Sequence, residues 1–586
     1  MMPLRFGAQL RRDGATFRLW APAAKRVELM LDRPQEMQKL PGGWHEAKVP
    51  GLRTGTLYKY RIDGEVEVPD PASCFQPHDV NGPSEVIDHA AFVWRTGDWR
   101  GRPWAEAVML ELHVGAFTPG GTFRAAIDKL DALAEAGVTA IELMPVADFA
   151  GQRNWGYDGV LLYAPDSRYG RPDDLRALID AAHARGLMVL LDVVYNHFGP
   201  EGNYLGRYAP SFFAPAHTPW GAAIDYRVPQ VRAFAIENAL HWLAHYRVDG
   251  LRLDAVQAIT EPGEPSILDE LSRAVGKFAA ASGRRIHLVL ENDDNRASLL
   301  DPGADPPAGK YRAQWNDDYH HAWHVLLTGE KAGYYQDYAA DPRRAIARAL
   351  ASGFAFQGEA SMYRGGRPRG EASGELSPLA FVNFLQNHDQ IGNRPLGDRL
   401  TTQVAAAPLE AALAILLLLP MPPLLFMGGE WGSRRPFPFF CDFAEPLASA
   451  VRKGRREEFK AAYAALGDEI PDPLAEETFR SAVLDWEARD APEGRKRLAL
   501  VRELLAVRKR EIVPELALTR FGSAQWSADV LVAHWDLPAG RALLLIANLS
   551  DRAADRPPHF RCGAPIWGAA PDSLAPWSVH WSIGAA

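Results

Sequence analysis

Four predicted strands of this chain change from apolar to polar residues where each strand ends. The four stretches read LDVVYNH, VDGLRLDAV, HLVLEN and FLQNHD, and they begin at residues 191, 248, 287 and 384. In a barrel of parallel strands the reactive groups lie at the carboxyl ends of the strands, on one face. We therefore expect the polar residues of the four stretches to meet in a single site.

Two carboxyl groups in these stretches have surroundings that favour opposite protonation states. Arg252 and Asp254 are two residues apart on a strand, so they point to the same face, and the cation should keep Asp254 ionised. Glu291 ends an aliphatic run, and apolar surroundings raise the pKa of a carboxyl group so that it holds a proton. Such a pair supplies the nucleophile and the acid that cleave a glycosidic bond. Asp389, beside His388, is a third carboxylate, suited to binding sugar hydroxyl groups.

The elements that must position these residues alternate between strands and helices from about residue 107. Eight apolar strands are predicted, at residues 108–114, 139–144, 187–195, 250–256, 286–291, 312–315, 380–386 and 423–427. Helices are predicted between most of them, at residues 123–137, 172–186, 231–247, 267–281, 342–351 and 408–419. This alternation indicates an α/β fold with a parallel sheet, and eight such units that close on themselves form a (β/α)8 TIM barrel.

Two all-β segments flank the predicted barrel. Short alternating runs punctuated by Gly and Pro occur near both ends of the chain, which is typical of small β-sandwiches. We therefore predict an N-terminal β-sandwich at 1–96, a catalytic barrel with helical insertions at 97–512, and a C-terminal β-sandwich at 513–586. The last part of the barrel segment is charged and helical, with clear helices at 452–465 and 494–510.

The composition of the 586 residues argues against several other classes of protein. A net charge of −9 and a pI of about 6.0 argue against a nucleic-acid or anionic-membrane binder. Three cysteines are too few for a disulfide scaffold. The N-terminal residues lack the apolar run of a secretory signal. Prolines interrupt the apolar stretch 411–427, so this stretch is predicted to form a buried helix, a turn and a buried strand instead of a membrane-spanning helix. We expect a cytoplasmic protein.

The chain resembles the α-amylase family of glycoside hydrolases, family 13. DVVYNH, GLRLDAV, the Glu of LVLEN and QNHD are similar to four motifs of that family, in the same order and on the expected strands. The resemblance implies that Asp254 is the nucleophile, Glu291 the general acid/base and Asp389 the stabiliser of the transition state. The resemblance also implies further residues around the sugar at the cleavage point, namely Tyr157, Asp158, Asp192, His197, Arg252 and His388. The N-terminal sandwich resembles the carbohydrate-binding, immunoglobulin-like domain of branching and debranching members.

Longer stretches resemble those members of the family that cut the α-1,4 bond next to the terminal trehalose of maltooligosyltrehalose. They include LELHVGAFTPGGTF from residue 110 and WNDDYHHAWHVLLTGEKAGYYQDY from residue 315. This similarity implies maltooligosyltrehalose as the substrate, trehalose and a shortened maltodextrin as the products, and a maltooligosyltrehalose synthase as the functional partner. Recognition of trehalose requires polar groups on the leaving-group side of the site, in the loops after the fourth, sixth and seventh strands. The residues expected there are Gln257, Asp318, Tyr319, His320, His321, Gln390 and Asn393.

The sequence differs from some α-amylases in the region that binds calcium. Those enzymes hold the ion between the residue that matches Asn196 and a long excursion after the third strand. Here the excursion, 198–230, is short and contains few carboxylates. Glycosidic cleavage by two carboxyl groups needs no metal. We therefore expect no metal and no cofactor in catalysis.

Two other functions share much of this pattern. A branching enzyme uses a similar acid and nucleophile but transfers the glycosyl group to a glucan hydroxyl group instead of water. A non-catalytic glycan-binding barrel is expected to have lost at least one of Asp254, Glu291 and Asp389. All three carboxylates are present, which favours an enzyme. Product analysis on a trehalose-capped maltodextrin distinguishes hydrolysis from transfer.

Overall fold

Eight short parallel strands form a ring at the centre of the protein. The computed structural model describes residues 5–259, 265–301, 303, 309–558, 560, 562–568 and 571–585. In chain order the strands of the ring are β1 Met109–Leu112, β2 Ala140–Leu143, β3 Met188–Val193, β4 Gly250–Leu253, β5 His287–Leu290, β6 Ala313–Trp315, β7 Phe381–Val382 and β8 Leu424–Phe426.

The ring is closed by hydrogen bonding along its whole circumference. The strands pair in parallel in chain order from β1 to β7, and β8 returns to pair with β1. A parallel bridge between Asn383 and Pro423 joins β7 to β8. The predicted (β/α)8 barrel is therefore confirmed, with every strand inside or overlapping its predicted range. The strands are shorter than predicted because the chain leaves the sheet where polar residues begin; Asp254 and Glu291 directly follow β4 and β5.

Helices surround the ring and connect its strands. The longer ones are Phe123–Ile127, Leu130–Ala136, Pro172–Ala184, Pro229–His245, Ile267–Ser282, Asp317–Thr328, Pro342–Ser352, Ala406–Leu418, Leu447–Glu458, Lys460–Leu466, Glu476–Ala482 and Pro492–Val507. The apolar stretch 411–427 forms the end of one helix and then β8, as predicted. Among the described residues, none of the helices combines the length and the apolar character needed to cross a membrane.

One helix near the site, Asp317–Thr328, is not among the predicted elements. Both ends of this helix have the residues expected at helix ends. Asp317 and Asp318 lie in the first turn, and Gly329 ends the helix in a left-handed conformation with φ 76°. Three histidines interrupt its apolar residues, which hides the helical period from a sequence pattern. Two predicted helices are also divided, because the chain breaks the helix at Asp128 and at Phe459.

Antiparallel sheets flank the barrel at both ends of the chain. The N-terminal sheets contain Gly7–Arg11, Gly14–Trp20, Gln38–Leu40 and Trp44–Pro50 in one layer and Val27–Met30, Gln35–Glu36, Leu57–Ile62, Val66–Val68 and Ser84–Glu85 in the other. The C-terminal sheets contain Arg520–Ser527, Val530–Leu537, Arg541–Asn548, Ala564–Trp567 and Val579–Ala585, with Ala554–Asp555 paired to Ser573–Leu574. One continuous group of buried apolar side chains joins these sheets to the barrel. The exact limits of the three predicted domains stay predictions, and residues 1–4 and 586 lie outside the described residues.

Candidate active site

The guanidinium group of Arg252 lies at the centre of the polar residues that follow the strands. Nη1 donates to Asp192 Oδ2 at 2.6 Å and to Asp254 Oδ1 at 2.9 Å, and Nη2 lies 2.8 Å from Glu291 Oε2. The indole of Trp315 covers the guanidinium, with 4.2 Å between the guanidinium carbon and the ring centroid. One buried cation therefore holds carboxyl groups from the ends of β3, β4 and β5 around a single point.

Both carboxylate oxygens of Asp254 are held by hydrogen bonds. Arg252 donates to Oδ1, and the side-chain amide of Asn196 donates to Oδ2 at 2.8 Å and to the Asp254 carbonyl oxygen at 2.9 Å. Burial raises the pKa of Asp254, while the neighbouring Arg252 acts in the opposite direction. The expectation from sequence that Arg252 lowers the pKa of Asp254 is therefore wrong in its net direction, because the loss of solvation outweighs the attraction of the cation.

Glu291 is arranged to hold a proton near neutral pH. Burial raises the pKa of Glu291 to about 8, against the opposing effect of Arg252 and with further increases from Asp254 and Asp389. The direction agrees with the sequence-based expectation. The backbone N–H of Ala255 donates to Oε2 at 2.9 Å, and Arg252 contacts the same oxygen. Oε1 is therefore the oxygen available to carry a transferable proton.

Asp389 is the most accessible of the three carboxylates, with a third of its side chain exposed, and it is paired with a histidine. His388 Nε2 lies 3.4 Å from Asp389 Oδ1, and His388 Nδ1 contacts the carboxylate of Glu111 on β1. Burial alone would lower the pKa of His388, but the two carboxylates raise it well above its ordinary value. Burial likewise opposes ionisation of Asp389, but His388 holds the pKa of Asp389 below its ordinary value. Asp389 is therefore a fixed negative charge near Glu291.

The aromatic and polar residues predicted around the cleavage point gather on the same side. The hydroxyl group of Tyr157 donates to Asp192 Oδ2 at 2.7 Å, and its ring stacks on His388 with 5.0 Å between centroids. His197 donates from Nε2 to the Tyr157 carbonyl oxygen at 3.0 Å. The carboxylate of Asp158 accepts a hydrogen bond from the side-chain amide of Asn154 at 2.7 Å, and burial raises its pKa. The structure thus brings Tyr157, Asp192, His197 and His388 together beside Arg252 and the three carboxylates, with Asp158 next to Tyr157 in the chain.

The residues predicted on the leaving-group side fall into two groups. Gln257 and Gln390 each have a buried side-chain oxygen that accepts no hydrogen bond from the described residues. Asn393 is exposed and donates to Asp389 Oδ1 at 3.4 Å, which places it at the site. By contrast, Tyr319 and His320 lie on the helix that follows β6, and their side chains are fully buried. His320 contacts the Leu385 carbonyl group. The structure does not bring either residue to the surface of the site. His321 is also nearly buried, against the rings of Tyr334 and Tyr338.

Asp318 braces this helix instead of facing a ligand. It is fully buried, and both oxygens are occupied by donors within the protein. The donors are Asn295 and the backbone N–H groups of Ala355 and Phe356 on Oδ2, and Tyr338 and Arg369 on Oδ1. A carboxylate has about four acceptor positions, so little capacity remains for a sugar hydroxyl group. The geometry does not support the expected contact of Asp318 with the leaving group.

Three residues of the site are missing from the set predicted by sequence. Glu111 is the polar residue within the apolar strand β1, Asn196 lies in the DVVYNH motif, and Asp317 precedes Asp318. Asp317 is half-buried, and burial together with Glu291 raises its pKa well above its ordinary value. Glu111 could have been found from the sequence, because it is a polar residue inside an apolar strand. The choice between Asp317 and Asp318 could not, because it depends on the rotation of a helix that the sequence does not predict.

One group of possible metal ligands lies outside this site among the described residues. The ligand atoms of Cys74, His89 and His241 lie within 4.8 Å of one another. The buried guanidinium group of Arg176 donates to His89 Nδ1 at 2.6 Å, so a metal cation would meet a positive charge that is already in place. The arrangement therefore favours a packing contact between the N-terminal segment and the helix Pro229–His245 over a metal centre.

Comparisons with known proteins agree with this geometry. The model of the alpha amylase catalytic domain matches residues 96–220, and that of carbohydrate-binding module 48, the isoamylase N-terminal domain, matches residues 5–73. The chain is 42% identical over 535 residues to a malto-oligosyltrehalose trehalohydrolase of Deinococcus radiodurans, covering 91% of this chain and 87% of that protein. A protein of the same name from Saccharolobus solfataricus is 39% identical, over 86% of this chain and 87% of that protein.

Two further comparisons concern the fold and the alternative function. The crystal structure of a putative alpha amylase from Salmonella typhimurium matches with a TM-score of 0.95 and 46% identity over the full length of both chains. A 1,4-alpha-glucan branching enzyme of Mycobacterium tuberculosis is 35% identical, but over only 42% of this chain and 37% of its own length.

Proposed function

Since the chain belongs to the malto-oligosyltrehalose trehalohydrolases of the α-amylase family, we propose that it hydrolyses the α-1,4 bond next to the terminal trehalose of maltooligosyltrehalose. The products are trehalose and a maltooligosaccharide shortened by those two glucose units. The reaction proceeds by double displacement with retention of configuration, with Asp254 as the nucleophile and Glu291 as the acid/base.

In the first step a glycosyl-enzyme ester forms. The ionised carboxylate of Asp254 attacks the anomeric carbon, and the bond from that carbon to the bridging oxygen breaks. Glu291 donates its proton from Oε1 to the bridging oxygen, so trehalose leaves as a neutral molecule. The fixed negative charge of Asp389 stabilises the positive charge that develops on the sugar.

In the second step water releases the sugar. Glu291, now ionised, accepts a proton from a water molecule that attacks the anomeric carbon from the side that trehalose has left. The ester bond to Asp254 breaks and both carboxyl groups return to their starting states. Two inversions at one carbon give overall retention.

The contacts of Arg252 are the observation that supports this proposal most strongly, because one guanidinium group contacts Asp254 Oδ1 and Glu291 Oε2 with its two ends and keeps the pair in a fixed relation. A general acid must be protonated, and the nucleophile must be ionised, at the same pH. Burial raises the pKa of Glu291 to about 8, which meets the first condition near neutral pH, while Arg252 and Asn196 favour the ionised form of Asp254 against the effect of burial on its pKa. Gln257, Gln390 and Asn393 are the residues that we propose for contacts with trehalose.

The test is product analysis on two substrates of equal length, maltotriosyltrehalose and maltopentaose. We expect equimolar trehalose and maltotriose from the first and much slower cleavage of the second. New α-1,6 linkages would indicate a branching enzyme, and equal rates on both substrates would indicate a general amylase; either result contradicts the proposal.

The proposed substrate also implies a partner and a location. An enzyme that converts the reducing end of a maltodextrin into a trehalose unit must supply the substrate, and we propose a maltooligosyltrehalose synthase in that role. A reducing compartment such as the cytoplasm suits a chain whose three cysteines are all free. Adding such a synthase to plain maltodextrin should make trehalose release by this protein possible, and the absence of any increase would argue against the coupling.

A further inference from the structure

A β-hairpin packs against the segment that follows Glu291. Its strands are Glu359–Ser361 and Arg367–Arg369, paired antiparallel. In the connecting turn Met362 is 71% exposed and Tyr363 is 51% exposed, but the side chain of Arg364 is only 18% exposed. The turn therefore faces solvent, whereas Arg364 folds back toward the barrel.

Arg364 forms two ion pairs with consecutive carboxylates. Its Nη1 donates to Asp294 Oδ1 at 2.6 Å, and its Nη2 donates to the carboxylate of Asp293. These aspartates lie two and three residues after Glu291. A guanidinium group that bridges two adjacent side chains in this way fixes the direction of the backbone between them, which a single exposed ion pair does not do.

A second arginine of the hairpin completes the attachment. Arg369 donates from Nε to the Asp293 carbonyl oxygen at 2.8 Å, and its Nη2 lies 2.9 Å from Asp293 Oδ1. Its Nη1 lies 2.9 Å from Asp318 Oδ1, which ties the same group to the helix after β6. Arg364 and Arg369 thus neutralise the charges of Asp293 and Asp294. These contacts and the ion pair with Asp318 connect the hairpin, the helix after β6 and the segment after Glu291.

We propose that Arg364 is a positioning residue for the acid/base. It fixes the backbone that leaves Glu291, so that the proton on Oε1 is presented to the bridging oxygen of the leaving trehalose. The side chain of Glu291 is held from the other direction by Ala255 and Arg252, both at Oε2. This inference rests on the proposed function of Glu291. A displacement of about 1 Å at such a group costs roughly a hundredfold in rate.

The test separates proton donation from the rest of catalysis by changing the leaving group. Fluoride leaves with little need of a proton, whereas trehalose needs a general acid. The kcat/KM values of Arg364→Met and Asp294→Asn are measured on maltotriosyltrehalose and on α-maltotriosyl fluoride. Arg344→Met is the matched control, because Arg344 is exposed on the helix Pro342–Ser352, which precedes the hairpin. Melting curves show that each variant is folded.

We expect both variants to lose about 30-fold or more on maltotriosyltrehalose and about threefold or less on the fluoride. Arg364→Lys, which keeps the charge but not the bridging geometry, should recover part of the loss, and Arg344→Met should stay within about twofold on both substrates. An equal loss on the two substrates, or no loss, would overturn the positioning role. Failure of the wild-type protein to release trehalose would instead refute the proposed function, so the two failures are distinguishable.

Discussion

The backbone N–H of Ala255 donates to Glu291 Oε2 across 2.9 Å, and Ala255 holds a left-handed conformation with φ 38°. Because Ala255 directly follows Asp254, one peptide joins the proposed nucleophile to the proposed acid/base. A left-handed conformation costs a residue other than glycine about 1–2 kcal/mol, and such strain is tolerated where it positions functional groups. The relative placement of the two carboxyl groups is thus fixed by the backbone as well as by Arg252.

Substitutions at Ala255 should therefore separate strain from function. Ala255→Gly keeps the N–H and removes the steric conflict, so activity should be retained and the free energy of unfolding should rise by about 0.5–1 kcal/mol. Ala255→Ile should lower both activity and stability, because a β-branched side chain fits this conformation worst. Denaturant unfolding and trehalose release measure the two effects. An Ala255→Ile variant with a higher free energy of unfolding than the wild-type protein would contradict backbone strain at Ala255.

The two proposed catalytic carboxyl groups should each be indispensable. Asp254→Asn and Glu291→Gln keep the shape of the side chain and remove its charge or its transferable proton, so each should lower kcat by about a thousandfold or more. Glu457→Gln, on an exposed helix face, serves as the control. A folded variant with a near-normal rate of trehalose release would remove that residue from the mechanism.

The rate should depend on pH with two limbs. Burial raises the pKa of Glu291 to about 8, so kcat/KM should fall as the pH rises through that value and the acid loses its proton. At low pH the rate should fall as Asp254 becomes protonated, and the two limbs report macroscopic values of the coupled pair. With α-maltotriosyl fluoride the alkaline limb should be weaker. A rate on maltotriosyltrehalose that still increases well above pH 8 would exclude Glu291 as the acid.

Asp318 and Gln390 should behave differently when each is replaced by alanine. Asp318→Ala removes a buried carboxylate paired with Arg369 and should lower the free energy of unfolding by about 3–5 kcal/mol. Gln390→Ala should leave stability nearly unchanged and narrow the preference for maltotriosyltrehalose over maltopentaose by roughly five- to tenfold. Melting curves and kcat/KM ratios distinguish these outcomes. A stable Asp318→Ala variant with altered preference would restore Asp318 as a contact of the leaving group.

Much of the fold and the centre of the site could be predicted from sequence because both depend on local patterns. Apolar runs marked all eight barrel strands, and the polar residues that follow them include Asp254, Glu291 and Asp389. The relation of Arg252 to Asp254 follows from their spacing on one strand. These features need no knowledge of how distant segments pack.

What could not be predicted depends on packing between distant segments. The contact of Glu111 with His388 joins β1 to the residues after β7, and the ion pairs of Arg364 span about 70 residues of sequence. The partners of Asp318 come from four separate segments, so its burial is not visible in the motif that contains it. The net direction of the pKa of Asp254 likewise depends on the depth of burial, which spacing alone does not give.

The most direct test of the central claim is ¹H NMR of the first-formed products from maltotriosyltrehalose. Cleavage by Asp254 and Glu291 as nucleophile and acid/base predicts that trehalose and α-maltotriose appear together in equal amounts, before mutarotation produces the β-anomer. A first product in the β configuration would contradict the double displacement, and the absence of trehalose would contradict the site of cleavage.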